Sequence, residues 1–309
     1  MEDLLISSYF VDTYHAVAYI LMAFFIFYVG KWVYQRFHLS INIQTELVIK
    51  DNLAFGVAHA GYFMGVLASV GGLIVGESNG LAADLLDMFV YGLLSILLLN
   101  LSTLINEKVI LRRFSVEKEI CEDQNVGTGI IEAASALGSG LIIFGAVSGE
   151  GTAPLYALFV GDWAIVSFSP FMGLLTTIVY WAIGMILLVL TARFYNYILP
   201  YDALVEIEKK DNVAVGVGFA GALVAISILV SHALQGDFAG WIYTAQELAF
   251  EMGIGLVLLP GARLLTDKIL LPGKNLTDEL VNQERANIGA GIIEAFSYIG
   301  GAILITWCI

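Results

Sequence analysis

Eight long apolar segments, separated by short polar stretches, make up most of the chain. An α-helix needs about 20 apolar residues to cross the hydrocarbon core of a bilayer, and each segment comes close to that length or exceeds it. The pattern predicts transmembrane helices at 14–34, 52–76, 86–106, 126–148, 171–192, 212–234, 243–265 and 287–308. We therefore expect an all-α integral membrane protein with eight transmembrane helices.

A short motif opens every second segment. It reads Asn-x-Gly-x-Gly-Ile-Ile-Glu-Ala at 125–133 and at 287–295, and Asn-x-Ala-x-Gly-Val-x-x-Ala at 52–60 and 212–220. Such regular recurrence indicates an internally repeated architecture. We predict four repeated helical hairpins, the last one permuted, because the eighth segment would be completed by the first.

The repeats also suggest how the chain is divided. The second and fourth copies are the most alike, which favours two halves, 1–150 and 151–309. Parallel repeats in a membrane are commonly related by an axis along the membrane normal. A pseudo-fourfold ring and two pseudo-twofold halves both satisfy that relation. The connection 149–171, with its apolar run 155–160, fits an interfacial or re-entrant piece as well as a plain linker.

Composition and charge support a membrane protein and predict its orientation. The chain is 59% hydrophobic and only 14% charged, outside the range of soluble domains. All 14 Lys and Arg residues fall in four alternate connections, 31–51, 107–124, 193–211 and 263–286. By the positive-inside rule these connections are cytoplasmic and both termini lie outside. The outer segments carry acids instead, so the outer face should attract cations.

The motif has a predictable structural role. Asparagine is a preferred N-cap residue, and it can accept a hydrogen bond from a backbone N–H where the helix begins. Glycine and alanine four residues apart form a stripe that lets helices approach closely in lipid. The cap and packing positions are Asn52, Gly56, Asn125, Gly129, Asn212, Gly216, Asn287 and Gly291. We expect the four motif helices to meet through these faces around a pseudo-axis.

Ionisable side chains inside the membrane are the candidates for an ion site, because charge in lipid is costly. Glu132 and Glu294 share one motif position, and we expect them to face a common interior site. The alternative is a structural role as hydrogen-bond partners between helices. Glu251, with Glu247 one turn outward, is a third candidate. His59 occupies the same motif position in the first copy.

The two-helix unit that opens with Asn-x-(Ala/Gly)-x-Gly resembles the bacterial YjfL-like family, also called the domain of unknown function 350 family. The resemblance covers the whole chain and rests on the four asparagines and four glycines named above. It implies a protein of the bacterial inner (plasma) membrane. It brings no established activity, although similar proteins tend to be encoded beside envelope-stress and polyamine-related proteins.

Two functions of different class remain open. The repeated carboxylate and the acidic outer face favour transport or conduction of protons or small cations, including polyamines, through the repeat interface. The lack of broken-helix signals and the family context favour a noncatalytic scaffold that recruits envelope-stress partners at its cytoplasmic loops. Enzyme and metal-binding motifs are absent from the sequence. We expect no enzymatic activity, no metal or cofactor and no nucleic acid; homo-oligomers stay open.

Overall fold

A computed structural model describes residues 2–75, 78–148, 170–235, 241–271 and 273–309. Within these residues, eight helices are long and apolar enough to cross a membrane, which confirms the predicted all-α architecture. They are α1 (Glu2–Phe37), α2 (Leu53–Val75), α3 (Leu81–Ile105), α5 (Val126–Val147), α6 (Pro170–Ile198), α8 (Val213–Ala233), α9 (Trp241–Leu265) and α11 (Ile288–Cys308). The short helices are α4 (Val116–Cys121), α7 (Ala203–Lys210) and α10 (Leu276–Val281). The apolar run 155–160 lies outside the described residues.

Helices α1, α3, α6 and α9 extend further than the apolar pattern predicted, whereas the four motif helices match it to within one residue at each end. π-Helical turns at Asn106–Ile110 and Thr266–Leu270 continue α3 and α9 directly, and a third turn, Thr45–Ile49, precedes α2. Arg263, which the sequence placed both at the end of the predicted helix 243–265 and among the cations of the connection 263–286, lies inside α9.

Each motif asparagine caps the helix that follows it. Its Oδ1 accepts the backbone N–H three residues later at 3.0–3.2 Å in all four copies. These bonds satisfy donors that have no partner inside the helix. In the first three copies the preceding residue has a left-handed backbone, at Asp51, Gln124 and Asp211. This single residue turns the chain sharply from the short helical element into the long helix.

A glutamate in the preceding short element holds each asparagine in place. The asparagine N–H donates to the glutamate carbonyl at 2.8–3.2 Å, and its carboxamide donates to the carboxylate at 2.8–3.4 Å. The four glutamates are Glu46, Glu119, Glu206 and Glu279. In the first three copies the carboxamide also donates to a carbonyl of the next repeat, at 2.7–2.8 Å. Those acceptors are Ile120, Ile207 and Leu280.

The four motif helices pack side by side in a parallel row, in the order α2, α5, α8 and α11. Small residues make the close contacts: a Cβ on Gly129 would lie within 3 Å of the Ala54 backbone, and one on Gly291 within 3 Å of the Ala214 backbone. Such residues allow helix backbones to approach in lipid. Because the row is open, with α2 and α11 at its ends, a pseudo-fourfold ring does not describe it. All four caps lie on one side of the bundle, here called the motif side.

The other four long helices form a second layer. Helix α3 packs against α2 and α5, α6 against α5 and α8, and α9 against α8 and α11. Helix α1 packs mainly against α3 and α2. Helices α3, α6 and α9 thus fill the three grooves of the row, and the buried polar side chains lie where the two layers meet.

Candidate functional site

Glu294 lies in α11 and is fully buried. Its Oε1 forms an ion pair with the guanidinium of Arg263 from α9 and accepts a hydrogen bond from the Tyr298 hydroxyl at 2.8 Å. Arg263 also donates to the Thr277 hydroxyl at 3.1 Å, which ties the pair to α10. Removing one partner of a buried ion pair leaves an uncompensated charge and is strongly destabilising. This cluster therefore stabilises the packing of α9 against α11.

The second carboxylate oxygen of Glu294 has no such partner. Oε2 lies against Gly218 of α8, where a Cβ would be 2.5 Å from Oε2 and 3.2 Å from the Tyr195 hydroxyl. Glycine is required at this position to leave room for the carboxylate. Within the described residues Oε2 and the hydroxyls of Tyr195 and Tyr201 are buried without a hydrogen-bond partner. Buried polar atoms of this kind are commonly satisfied by internal water.

Glu132 of α5 has different surroundings. Its Oε2 accepts a hydrogen bond from the Asn106 amide at 2.8 Å, and Asn106 in turn accepts from the Ser135 hydroxyl at 2.7 Å. None of the ion pairs among the described residues includes Glu132. An amide is thus the group that solvates this intramembrane carboxylate, whereas Glu294 has a guanidinium.

The two halves share the polar frame around these glutamates. In the second half the Thr266 hydroxyl donates to Ser297 at 2.7 Å, as Ser135 bonds to Asn106 in the first half. The π-helical turns that follow α3 and α9 are thereby each tied to the next motif helix. Glu132 and Glu294 share no hydrogen-bond partner among the described residues, and α8 lies between α5 and α11 in the row.

Glu251 belongs to a third polar pair. It is only 4% exposed, and its Oε1 lies 2.6 Å from Nδ1 of His232, in the last turn of α8. Its Oε2 has no partner among the described groups. Reasoning from the sequence missed His232, because the pairing depends on the register between α8 and α9. The pair lies at the end of α8 remote from the motif side.

His59 is enclosed by aromatic side chains rather than by charged ones. Its ring centroid lies 4.8 Å from that of Tyr34, 5.3 Å from Phe55 and 4.9 Å from Phe63. Nδ1 of His59 is buried without a hydrogen-bond partner in the described part of the chain. No group of three or more His, Cys, Asp or Glu side chains among the described residues could hold a metal ion.

Outside the spanning helices, the motif side contains titratable groups perturbed by burial. Burial raises the pKa of the Glu119 carboxyl above its usual value, against the opposing effect of the hydrogen bond from Asn125. Burial also raises the pKa of the Cys121 thiol to about 11. Both groups lie in α4, next to the cap of α5, where the carboxylate and the thiol are enclosed by the packed connections.

Eight long apolar helices with buried carboxylates between them define a polytopic α-helical membrane protein in contact with lipid. The chain belongs to the family described as Domain of Unknown Function (DUF350), whose sequence profile matches residues 5–147 and 169–309. The family resemblance inferred from the motif is thus confirmed, with two copies of the domain.

A curated relative covers nearly the whole chain. The UPF0719 transmembrane protein of Aquifex aeolicus (strain VF5) is 22% identical over 286 residues, which span 92% of this chain and 96% of that protein. No solved structure matches the chain. The comparisons therefore support a multi-pass membrane protein and bring no activity with them.

Proposed function

We propose that this protein moves protons across the membrane and that Glu132 is the carboxylate that exchanges them. The observation behind this is the contrast between the two motif glutamates. Glu294 has the Arg263 guanidinium as counter-charge, whereas Glu132 has the Asn106 amide. A carboxylate in lipid is costly to keep ionised without a counter-ion, so it is held protonated or with a bound cation. Glu132 is therefore the group suited to take up and release a proton.

Protons suit this bundle better than larger cations. The row helices approach backbone to backbone, as at Gly140, where a Cβ would lie within 3 Å of Gly65. A proton can move between hydrogen-bonded groups without the open passage that a polyamine needs. Glu132 lies about 9 Å from the start of α5, at 1.5 Å per residue, and so within reach of the motif side.

Proton flux into proteoliposomes tests the proposal. Glu132→Gln keeps the shape and a carbonyl acceptor for Asn106 but cannot titrate, so we expect flux to fall to the level of empty vesicles. Glu117→Gln is the matched control, because Glu117 is exposed in α4 and loses the same charge. We expect it to keep full flux. Wild-type vesicles that carry no protons, monovalent cations or polyamines above the empty-vesicle level would refute transport.

We also propose that the motif side is cytoplasmic and that both termini lie outside a bacterial inner membrane. Support comes from the Lys and Arg residues, which fall in the connections on the motif side or within the adjoining helix ends. In a cysteine-free background, Ser78→Cys and Glu117→Cys place exposed thiols on opposite sides. A membrane-impermeant maleimide added to intact cells should label the first and spare the second. The reverse result would overturn the orientation.

A noncatalytic scaffold is the second candidate, favoured by the charged side chains exposed around α4. Glu117, Lys118 and Glu122 are exposed there, beside a tightly packed bundle. In this proposal the cytoplasmic connections recruit envelope-stress proteins. A photo-crosslinker at position 122 should then capture one defined partner in stressed cells, and Glu117→Lys with Glu122→Lys should abolish that capture. A wild-type protein that shows both proton flux and no captured partner would exclude the scaffold.

A further inference from the structure

A crevice of about 80 Å³ opens on the motif side where the two halves of the chain meet. Its first wall is the connection after α3, with Arg112 and Arg113, and its second wall is the end of α6, with Arg193 and Asn196. Phe219 of α8 lies at the apolar side of the crevice. Three arginines, contributed by segments about 80 residues apart in sequence, therefore line one small space.

The charges in this crevice are not balanced by acids. Asp202 pairs with Arg113, and its Oδ1 already accepts backbone N–H groups at the start of α7. Arg193 donates to the Val109 carbonyl at 3.5 Å. Neither Arg193 nor Arg112 takes part in an ion pair among the described residues. The cluster keeps two positive charges in excess, in a chain whose formal net charge is −14.

The repeat does not require this cluster. The π-helical turns Asn106–Ile110 and Thr266–Leu270 correspond to each other, and the residues that match Arg112 and Arg113 in the second half are Pro272 and Gly273. The positive-inside rule accounts for cations on one side of a membrane. It does not account for their convergence on one crevice, where like charges repel unless an anion lies between them.

We propose that this crevice binds a phosphate group, carried by an anionic phospholipid headgroup or present as a free phosphate ion. Its volume of about 80 Å³ leaves room for a group the size of one phosphate tetrahedron. Guanidinium groups bind phosphate oxygens through paired, charge-assisted hydrogen bonds. The crevice lies beside Ile110, where a spanning helix ends, and that is the depth at which basic pockets meet lipid headgroups.

Binding to the delipidated full-length protein tests the site, with native mass spectrometry in neutral detergent as the readout. The probes are phosphatidylglycerol, phosphatidylcholine as the zwitterionic control, and inorganic phosphate. We expect one strongly retained phosphatidylglycerol or phosphate per chain. Arg112→Gln and Arg193→Gln should each weaken that binding about tenfold, the value of one charge-assisted hydrogen bond. Arg36→Gln is the matched control, because Arg36 is exposed at the end of α1 outside the crevice.

The outcomes separate the two sources of phosphate and can overturn the site. Retention of phosphatidylglycerol alone assigns a lipid headgroup, and retention of inorganic phosphate with the same arginine dependence assigns a free ion. Equal weakening by Arg36→Gln would show diffuse attraction to a basic surface and refute the site, as would a wild-type protein that retains neither probe. Arg193→Lys keeps the charge but not the paired geometry, so intermediate binding is expected; binding as strong as wild type refutes the guanidinium contacts.

Discussion

Replacing one motif glycine by alanine should have opposite effects in different repeats. The glycines four residues after the motif asparagines are Gly56, Gly129, Gly216 and Gly291. At Gly129 a Cβ would lie within 3 Å of the Ala54 carbonyl oxygen, and at Gly291 within 3 Å of the Ala214 carbonyl oxygen. At Gly56 the nearest atom is the side-chain Cδ2 of Leu47, at 3.7 Å, an ordinary contact. Gly56 has no preceding repeat packed against it.

The magnitude follows from two opposing effects. Overpacking a close contact costs about 1–3 kcal/mol, and we expect the upper part of that range where the neighbour is backbone that cannot rotate away. Alanine in place of glycine inside a helix stabilises the helix by up to about 1 kcal/mol. We therefore expect Gly129→Ala and Gly291→Ala to lower the free energy of unfolding by about 2 kcal/mol. Gly56→Ala should leave it unchanged or raise it by up to about 1 kcal/mol.

Unfolding by sodium dodecyl sulfate in mixed micelles, followed by circular dichroism, measures these differences. Dilution to one chain per micelle removes any contribution from association. Gly253→Ala in α9 is the control for helix propensity alone, because a Cβ there meets nothing within 4 Å. The reasoning fails if Gly129→Ala is as stable as Gly56→Ala, since the close approach of α5 to α2 would then have no energetic consequence.

Three further predictions concern single side chains. Arg263→Met should lower the free energy of unfolding by about 3–5 kcal/mol because it leaves the buried Glu294 carboxylate without its counter-charge. Adding Glu294→Gln should restore most of that free energy in the same unfolding assay. In a Cys308→Ser background, maleimide labelling of Cys121 should rise about tenfold per pH unit between 7 and 9, since its pKa is about 11; a plateau would contradict this. Burial opposes ionisation of Asp202, but bonds from Arg113 and backbone N–H groups outweigh it and lower its pKa. The stability advantage of wild type over Asp202→Asn should therefore be present at pH 7 and lost as the pH falls below about 4.

The number and type of helices follow from the apolar pattern because lipid forces every spanning segment to bond its own backbone. The role of the small residues was also accessible, since Gly129 and Gly291 belong to a repeated stripe. The choice between a ring and a row was not accessible from spacing alone. Both arrangements bring the same small faces together, and they differ in whether α2 meets α11 or each of them ends the row.

The polar pairs show the limit of sequence reasoning more clearly. Arg263 was counted with the cytoplasmic cations, although it stands only three residues after Pro260 in an uninterrupted apolar run. That run is the signal by which its burial against Glu294 could have been found. The pairing of His232 with Glu251 carries no comparable signal, because the sequence does not show which residues of two neighbouring helices face one another. Their contact depends on the register between α8 and α9, which the sequence does not give.

The cap of each row helix has a consequence for biosynthesis. The carboxamide of Asn52 donates to the carbonyl of Ile120, which is synthesised 68 residues later. In the same way, Asn125 donates to the carbonyl of Ile207, which is synthesised 82 residues later. Synthesis proceeds from the N-terminus. Each unit inserted into the bilayer therefore supplies the carbonyl that accepts a hydrogen bond from the preceding motif asparagine, while its own asparagine carboxamide has to await the next unit for that bond. Within the described residues, the carboxamide of Asn287 donates to Glu279 and to no carbonyl of another repeat, and Asn287 is exposed. Gene duplication can therefore lengthen such a protein by whole units, since the last motif asparagine presents a carboxamide donor to a carbonyl of the added unit, and the asparagine of that unit presents the same donor in turn.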